Sequence, residues 1–214
     1  MTKRFLLFTA FCLAFCMIYA QNTIYTCNGK YRVELPSKVE LQNSELNDVK
    51  RVVSKGKKAQ VNISNQTDKI VFQQRGMNAD QKSAYQKYCR VIIEFFKEDR
   101  NDPVWSRGEK ITVDRDILYA VEQSAKESCK KMNTPFVKLI TIEGLNINGF
   151  PALFYSYKRK GWEGKQPPVI VNVYQIFNRY ESINLIFSYR EAERENWKDI
   201  HNNIIKTFSF TKKY

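Results

Sequence analysis

Apolar and polar positions alternate in blocks along this chain, and the period changes from block to block. Residues 23–35, "TIYTCNGKYRVEL", form two short β-type runs around Asn28-Gly29, a dipeptide that tolerates the positive φ angles of a tight hairpin. Pro36 ends the second run. "NSELNDVKRVV" then sets Leu46, Val49 and Val53 on one helical face behind Asn43 or Ser44 as a cap, with Gly56 and its lysines to close it, which predicts a helix over 43–55. Residues 59–72 are polar apart from Val61, Ile63 and "IVF". "YCRVIIEFF", 88–96, is apolar on both alternating faces and predicts a buried strand, followed by a polar loop over 99–108.

From Val113 to Met132 the period is helical, with Leu118, Val121, Ala125, Cys129 and Met132 on one stripe. Asp114 and Asp116 stand in its first turn and Lys130 and Lys131 in its last, which complements the helix dipole. Four strands follow, "KLITIEGLNI", "PALFYSYKRK", "VIVNVYQIF" and "SINLIFSYR". Asn148-Gly149 joins the first pair, residues 161–168 the second and 178–181 the third. A last helix over 191–206 turns Trp197, Ile200 and Ile204 inward, with Phe208 after them. No repeat, low-complexity linker or domain boundary interrupts the chain. The expected class is α+β: an antiparallel β-sheet meander with helices packed on its faces, an α/β/α sandwich, as one domain over 21–214.

The N-terminus changes where such a domain would work. "MTKRFLLFTAFCLAFCMIYA" has two cations, an apolar run from Phe5 to Ile18, and a small residue at Ala20, the pattern of a cleaved signal peptide over 1–20. The alternative is a lipid anchor at Cys16, against which stands the bulky Phe15 before it. No other segment approaches a transmembrane length, so an exported protein, periplasmic or secreted, is expected. Signal cleavage removes two cations and no acid from a net charge of +13. Basicity of that size favours acidic partners: an anionic glycan, an anionic lipid headgroup or an acidic protein face. Nucleic acid fits the charge but not the export. The plainer alternative is that basicity only keeps the protein soluble.

Cys27, Cys89 and Cys129 remain after cleavage, enough for any one of three single bridges with one thiol left over. Cys89 and Cys129 both have core-like surroundings in sequence. No CxxC or Cys/His cluster is present, so no metal and no cofactor is expected. Asn62 and Asn65 head Asn-x-Ser/Thr sequons, which matter in a eukaryotic source.

The order of elements resembles a known architecture. "YRVELP" closes an N-terminal hairpin; a mid-chain strand and long helix follow; then a strand–"NGFPA"–strand hairpin, a second hairpin ending "INLIFSYRE", and "WKDIHNNIIKTFSF". This is similar to the fold shared by the PsbP subunit of photosystem II and the Ran-binding nuclear-import factor, over about 25–210 of this chain. The resemblance implies a non-catalytic binding or assembly protein. It names no partner, because one fold hosts many functions, and it carries over no photosystem or Ran-contact motif.

The candidates for chemistry are few. His201 is the single histidine and lies at the edge of an apolar helix stripe, which favours a structural role. It could pair with Cys89 or Cys129 only if the thiol were exposed in an electropositive setting. Glu94, Glu98, Asp99 and Asp102 lack the spacing of a calcium loop. Glu191 with Glu195, and Arg190 with Arg194, read as a charged outer helix face. "GWEG" has no phosphate-loop spacing. The basic aromatic hairpin end is the remaining candidate for a partner-binding site: Lys158, Arg159, Lys160, Trp162 and Lys165, in an eight-residue connection stiffened by Pro167-Pro168. Its tryptophan could stack on a sugar or hold a protein; the plainer reading folds it back over the sheet edge. The expected function is an exported non-catalytic binding or assembly module of the cell envelope. The alternative is an exported enzyme using His201 or a cysteine.

Overall fold

A computed structural model of the chain describes residues 22–27, 29–42, 49–55, 58–63, 69–79, 87–97, 104–179 and 181–211. The signal segment, the helix cap at Asn43 or Ser44, Asn65 and the acids Glu98, Asp99 and Asp102 lie outside them, as do the side chains of Cys27 and Asn62. Strands run in chain order as β1 (Thr23–Cys27), β2 (Tyr31–Leu35), β3 (Val39–Leu41), β4 (Val49–Lys55), β5 (Lys58–Ile63), β6 (Lys69–Gln74) and β7 (Cys89–Lys97). Helix α1 (Arg115–Lys131) precedes β8 (Phe136–Ile147), β9 (Phe150–Arg159), β10 (Val169–Asn178) and β11 (Glu181–Arg190). Helix α2 (Arg194–Thr207) and the short β12 (Ser209–Phe210) follow.

The strands form two sheets. In the seven-stranded sheet the order is β3-β6-β7-β11-β10-β9-β8, with β8 to β11 as the meander that the sequence predicts. All its pairings are antiparallel. The five-stranded sheet, β12-β2-β1-β5-β4, contains one parallel pair, β1 with β5. The class is α+β, with mostly antiparallel strands and two described helices.

One face of the seven-stranded sheet meets the second sheet together with α2. Val33 and Leu35 of β2, Phe72 of β6, Val91 of β7, Leu185 and Phe187 of β11, and Ile204 of α2 share one buried cluster. Each such side chain contributes roughly 1.5–3 kcal/mol by leaving water. The opposite face meets α1, where Val121, Ala125 and Cys129 pack against β9 and β10. Asp114 caps this helix by accepting the Ile117 N–H at 2.8 Å. Its apolar stripe is narrower than expected, because Leu118 and Met132 at its two ends stay 40% and 46% exposed.

Two expectations need correction. The helix over 43–55 is absent where the chain is described: Val49–Lys55 is strand β4, antiparallel to β5. Three apolar residues at helical spacing are a weak signal, and valine's branched side chain prefers the extended backbone that β5 then supplies with hydrogen bonds. Helices alone therefore do not cover both faces of the meander; a second sheet shares one of them with α2.

Small devices lock the architecture. Gly144 of β8 lies under the extended segment before α1, and a Cβ there would stand 1.8 Å from the Ile111 carbonyl oxygen. The β8 edge is irregular: its register skips Val137 and Ile140, and such bulges protect an open edge from pairing with other chains. At the β8–β9 turn, Asn148 (φ 54°) and Gly149 (φ 89°) take positive φ angles. The Asn148 amide donates to the Phe208 carbonyl at 2.7 Å and to the Ile205 carbonyl at 3.1 Å, while the Phe150 and Phe210 rings meet at a tilt with centroids 4.9 Å apart. "NGFPA" and "IIKTFSF" thus clasp one another. Asn148→Gly keeps the backbone angle and removes the amide. It is expected to lower the urea-unfolding free energy by about 1–2 kcal/mol; unchanged stability would show the clasp to be incidental.

Candidate functional site

The end of the β9–β10 hairpin is built from both faces of the sheet. Lys158 lies on the α2 face, its Nζ 2.6 Å from a Glu191 carboxylate oxygen. Arg159 points to the α1 face and is only 7% exposed. It donates to the Lys160 carbonyl at 3.2 Å and to the Tyr88 hydroxyl at 3.4 Å. Lys160 is exposed, and its backbone N–H donates to the Pro135 carbonyl at 2.8 Å. Trp162–Gly164 makes a single 3-10 turn, in which the Glu163 N–H donates to the Asn133 carbonyl at 2.9 Å just past α1. Lys165 Nζ stands 2.8 Å from Glu163 Oε2. Trp162 remains 53% exposed rather than folding back over the sheet edge.

Arg190 fixes the exit of this loop. Its two terminal nitrogens donate to the Pro167 carbonyl at 2.7 Å and to the Gln166 amide oxygen at 2.9 Å. Arg190 is 4% exposed, so it is not part of an outer charged helix face. Arg159 is likewise not a surface cation. Of the five predicted binding residues the structure leaves Lys160, Trp162 and Lys165 on the outside, holds Lys158 in an ion pair and buries Arg159.

Beneath the loop three guanidiniums surround one ring. Arg190, Arg90 and Arg159 lie 5.3, 5.5 and 5.9 Å from the Tyr88 centroid, and the Tyr88 hydroxyl meets the Ser188 hydroxyl at 3.1 Å. Contacts of this kind are worth about 0.5–2 kcal/mol each. Burial pushes the Arg190 pKa below its ordinary value; Tyr88 opposes that shift and Arg159 adds to it. Next to the cluster a cleft of about 380 Å³ opens between α1 and the sheet, lined in part by Arg90, Ser128, Lys131 and Arg159. The sequence reading names none of Tyr88, Arg90 and Ser188, and it places Arg190 on an outer face. The available signal was parity: Tyr88, Arg90 and Glu94 fall on the same face of an otherwise apolar strand.

His201 and the cysteines sit elsewhere. His201 is 4% exposed, with its ring 4.3 Å from Phe187 and 5.1 Å from Tyr189. Its Nε2 has no hydrogen-bond partner. It lines neither the cleft, nor a hollow of about 720 Å³ beside Trp197, nor one of about 330 Å³ beside Trp105. Cys89 and Cys129 are buried free thiols on opposite faces of the sheet, so they cannot bridge to each other. Burial raises both thiol pKa values, against smaller opposing effects of Thr134 and Arg159 at Cys129. A nucleophilic thiolate with an imidazolium needs the reverse shifts. Among the described residues no group of three or more His, Cys, Asp or Glu side chains could hold a metal ion.

Burial pushes the His201 pKa down from 6.5 to about 3. Between those values the unfolded chain takes up a proton that the folded one refuses. The stability linked to neutral His201 is therefore complete above pH 6.5 and is lost as pH falls toward 3. His201→Phe removes this dependence. From about pH 6 to about pH 4, the urea-unfolding free energy of the native protein should fall relative to the variant by about 1.4 kcal/mol per pH unit. Parallel pH profiles for the two proteins would refute the assignment.

No protein-family model matches this chain, and no curated protein matches it by sequence. Solved structures do. Cyanobacterial PsbP (CyanoP) from Synechocystis is 16% identical, with a TM-score of 0.46, over 85% of this chain and 87% of its own. LpqN of Mycobacterium tuberculosis, described as involved in cell envelope biogenesis, is 13% identical, with a TM-score of 0.41, over 90% and 91%. A Pseudomonas aeruginosa protein of unknown function is 12% identical, with a TM-score of 0.44, over 73% and 94%.

Proposed function

We propose that this protein is an exported, non-catalytic binding or assembly module of the cell envelope. It meets a protein or an anionic envelope component, a glycan or a lipid headgroup, through the loop between β9 and β10. The observation that carries this reading is Trp162, 53% exposed on a loop whose backbone is hydrogen-bonded to Asn133 and Pro135. A large aromatic side chain held rigidly in water loses little entropy when a partner covers it. Lys160 and Lys165 flank it, and the Lys165 side chain is 80% exposed. The N-terminal signal pattern and the net charge of +13 support export and an acidic partner. Among the described residues no helix is long and apolar enough to cross a membrane.

Charge reversal belongs at Lys160 and Lys165, because Arg159→Glu would bury an acid in the sheet. The protein is assayed by flotation with phosphatidylglycerol vesicles, by retention on a sulfated glycan, and by crosslinking in its native envelope. Whichever partner is recovered, Trp162→Ala combined with Lys160→Glu and Lys165→Glu should weaken it at least tenfold, or about 1.4 kcal/mol, and flatten the salt dependence. Equal affinity and equal salt slope would remove the loop from the binding surface.

A further inference from the structure

The cleft under α1 has an internal order that the outer loop does not explain. Antiparallel register aligns its floor in tiers. Arg159 and Arg190 both partner Val169 at the upper end. One step along, Arg90 partners Ser188, and Ser188 partners Val171. The next tier is apolar, running Ile92 to Ile186 to Val173. Beyond it Glu94 faces Asn184, and Glu94 is held by Lys69 at 3.1 Å.

The two ends differ in what they lack. At the upper end Arg159 is more than nine-tenths buried, and its Nε has no hydrogen-bond partner. The Nε of Arg90 is buried and unpartnered in the same way. Among the described residues no carboxylate stands within ion-pair distance of either guanidinium; the cleft's own Glu94 is spent on Lys69. Buried cations without an acid are costly, and an acid supplied from outside removes the cost. A guanidinium presents Nε and a terminal nitrogen as a planar fork that matches a carboxylate. At the lower end the Asn184 amide oxygen is buried without a partner. Between the two ends the floor is the side chains of Ile92, Ile186 and Val173, with Tyr155 and Tyr157 beside them on β9. From Arg90 to Glu94 is four residues of strand, about 14 Å at about 3.4 Å per residue. The cleft, at about 380 Å³, lies at the small end of ligand sites.

We propose that this cleft binds a small amphiphilic carboxylate, its head on Arg90 and Arg159 beside Tyr88 and its apolar body along Ile92, Ile186 and Val173 under α1. The proposal goes beyond the loop surface and does not rest on it: the ligand lies inside the domain, and the loop faces outward. Octanoate has the required head and a matching length. 1-Octanol keeps the tail without the charge, and inorganic phosphate keeps a charge without the tail.

The test is calorimetric titration of the protein with each of the three, followed by backbone amide NMR. Saturable octanoate binding that shifts Ser128 and Ser188 amides, at least tenfold tighter than 1-octanol and than phosphate, is the expected result. Arg90→Gln, a partly buried position, should weaken octanoate at least tenfold while leaving the thermal midpoint of the free protein near the native value. Arg159→Gln should do the same, and if it does not fold, Arg90→Gln decides alone. Octanoate should also raise the thermal midpoint of the native protein and not that of Arg90→Gln. No saturation at millimolar octanoate, equal binding of 1-octanol or of phosphate, or shifts confined to residues 160–168 would each overturn the proposal.

Discussion

Strands β9, β10 and β11 carry apolar side chains on both faces, and a strand of that kind is stable only when both faces are covered. The rest of the molecule follows from this requirement. One face is closed by the second sheet together with α2, which brings Val33, Leu35 and Ile204 against Leu185 and Phe187. On the other face the described residues place α1 and the extended segment before it, with Ile111 and Trp105. Seven strands at about 4.8 Å spacing are far wider than one helix of about 10–12 Å. α1 lies over β8 and β9, and the strands beyond it keep polar residues on that side: Arg90, Glu94, Asn184 and Ser188. The cleft is the unfilled margin of a sheet too wide for its helix.

The arginines at that margin show how placement decides what a charge does. Lys160 and Lys165, in the loop, remain in water, where an ion pair contributes little. Arg159 and Arg190 belong to strands whose parity turns them inward, and there each has a structural task. Arg190 holds Gln166 and Pro167 and so sets the exit of the loop. Arg159 reaches Tyr88 across the sheet. The exposed tryptophan is therefore presented by cations that are themselves buried. Loop surface and interior cleft share one support, and Tyr88 stands at its centre.

The second half of the fold was legible in sequence because its strands are long, two of its turns carry Asn-Gly or Pro-Pro, α1 has a cap at Asp114, and both helices have complementary end charges. The first half was not. "VKRVVSK" holds too few apolar positions for its period to be read, and the parallel pairing of β1 with β5 leaves no local trace. The adjacent β5 decided the first, and pairing between segments distant in sequence the second. The loop residues Lys160, Trp162 and Lys165 were legible as a surface, because a cationic run before Pro167-Pro168 leaves a sheet. Arg159 was misplaced through its neighbours: Lys158 and Lys160 are polar on any reading, whereas Arg159 shares its face with Tyr155 and Tyr157. Arg90 was hidden by the apolar residues around it, although its parity with Glu94 marked that face of β7 as polar.

The clasp between Asn148 and the carbonyls that end α2 bears on when the molecule can acquire its shape. β12 pairs with β2, joining Phe210 to Tyr31, and Asn148 closes its turn on Phe208. A ribosome releases the chain from its N-terminal end, so these contacts are among the last to become available. Until then the second sheet lacks an edge strand and the β8–β9 hairpin lacks its staple. Contacts this distant in sequence also form slowly. The edge of the second sheet and the β8–β9 turn are thus completed only after residues 208–210 have been made.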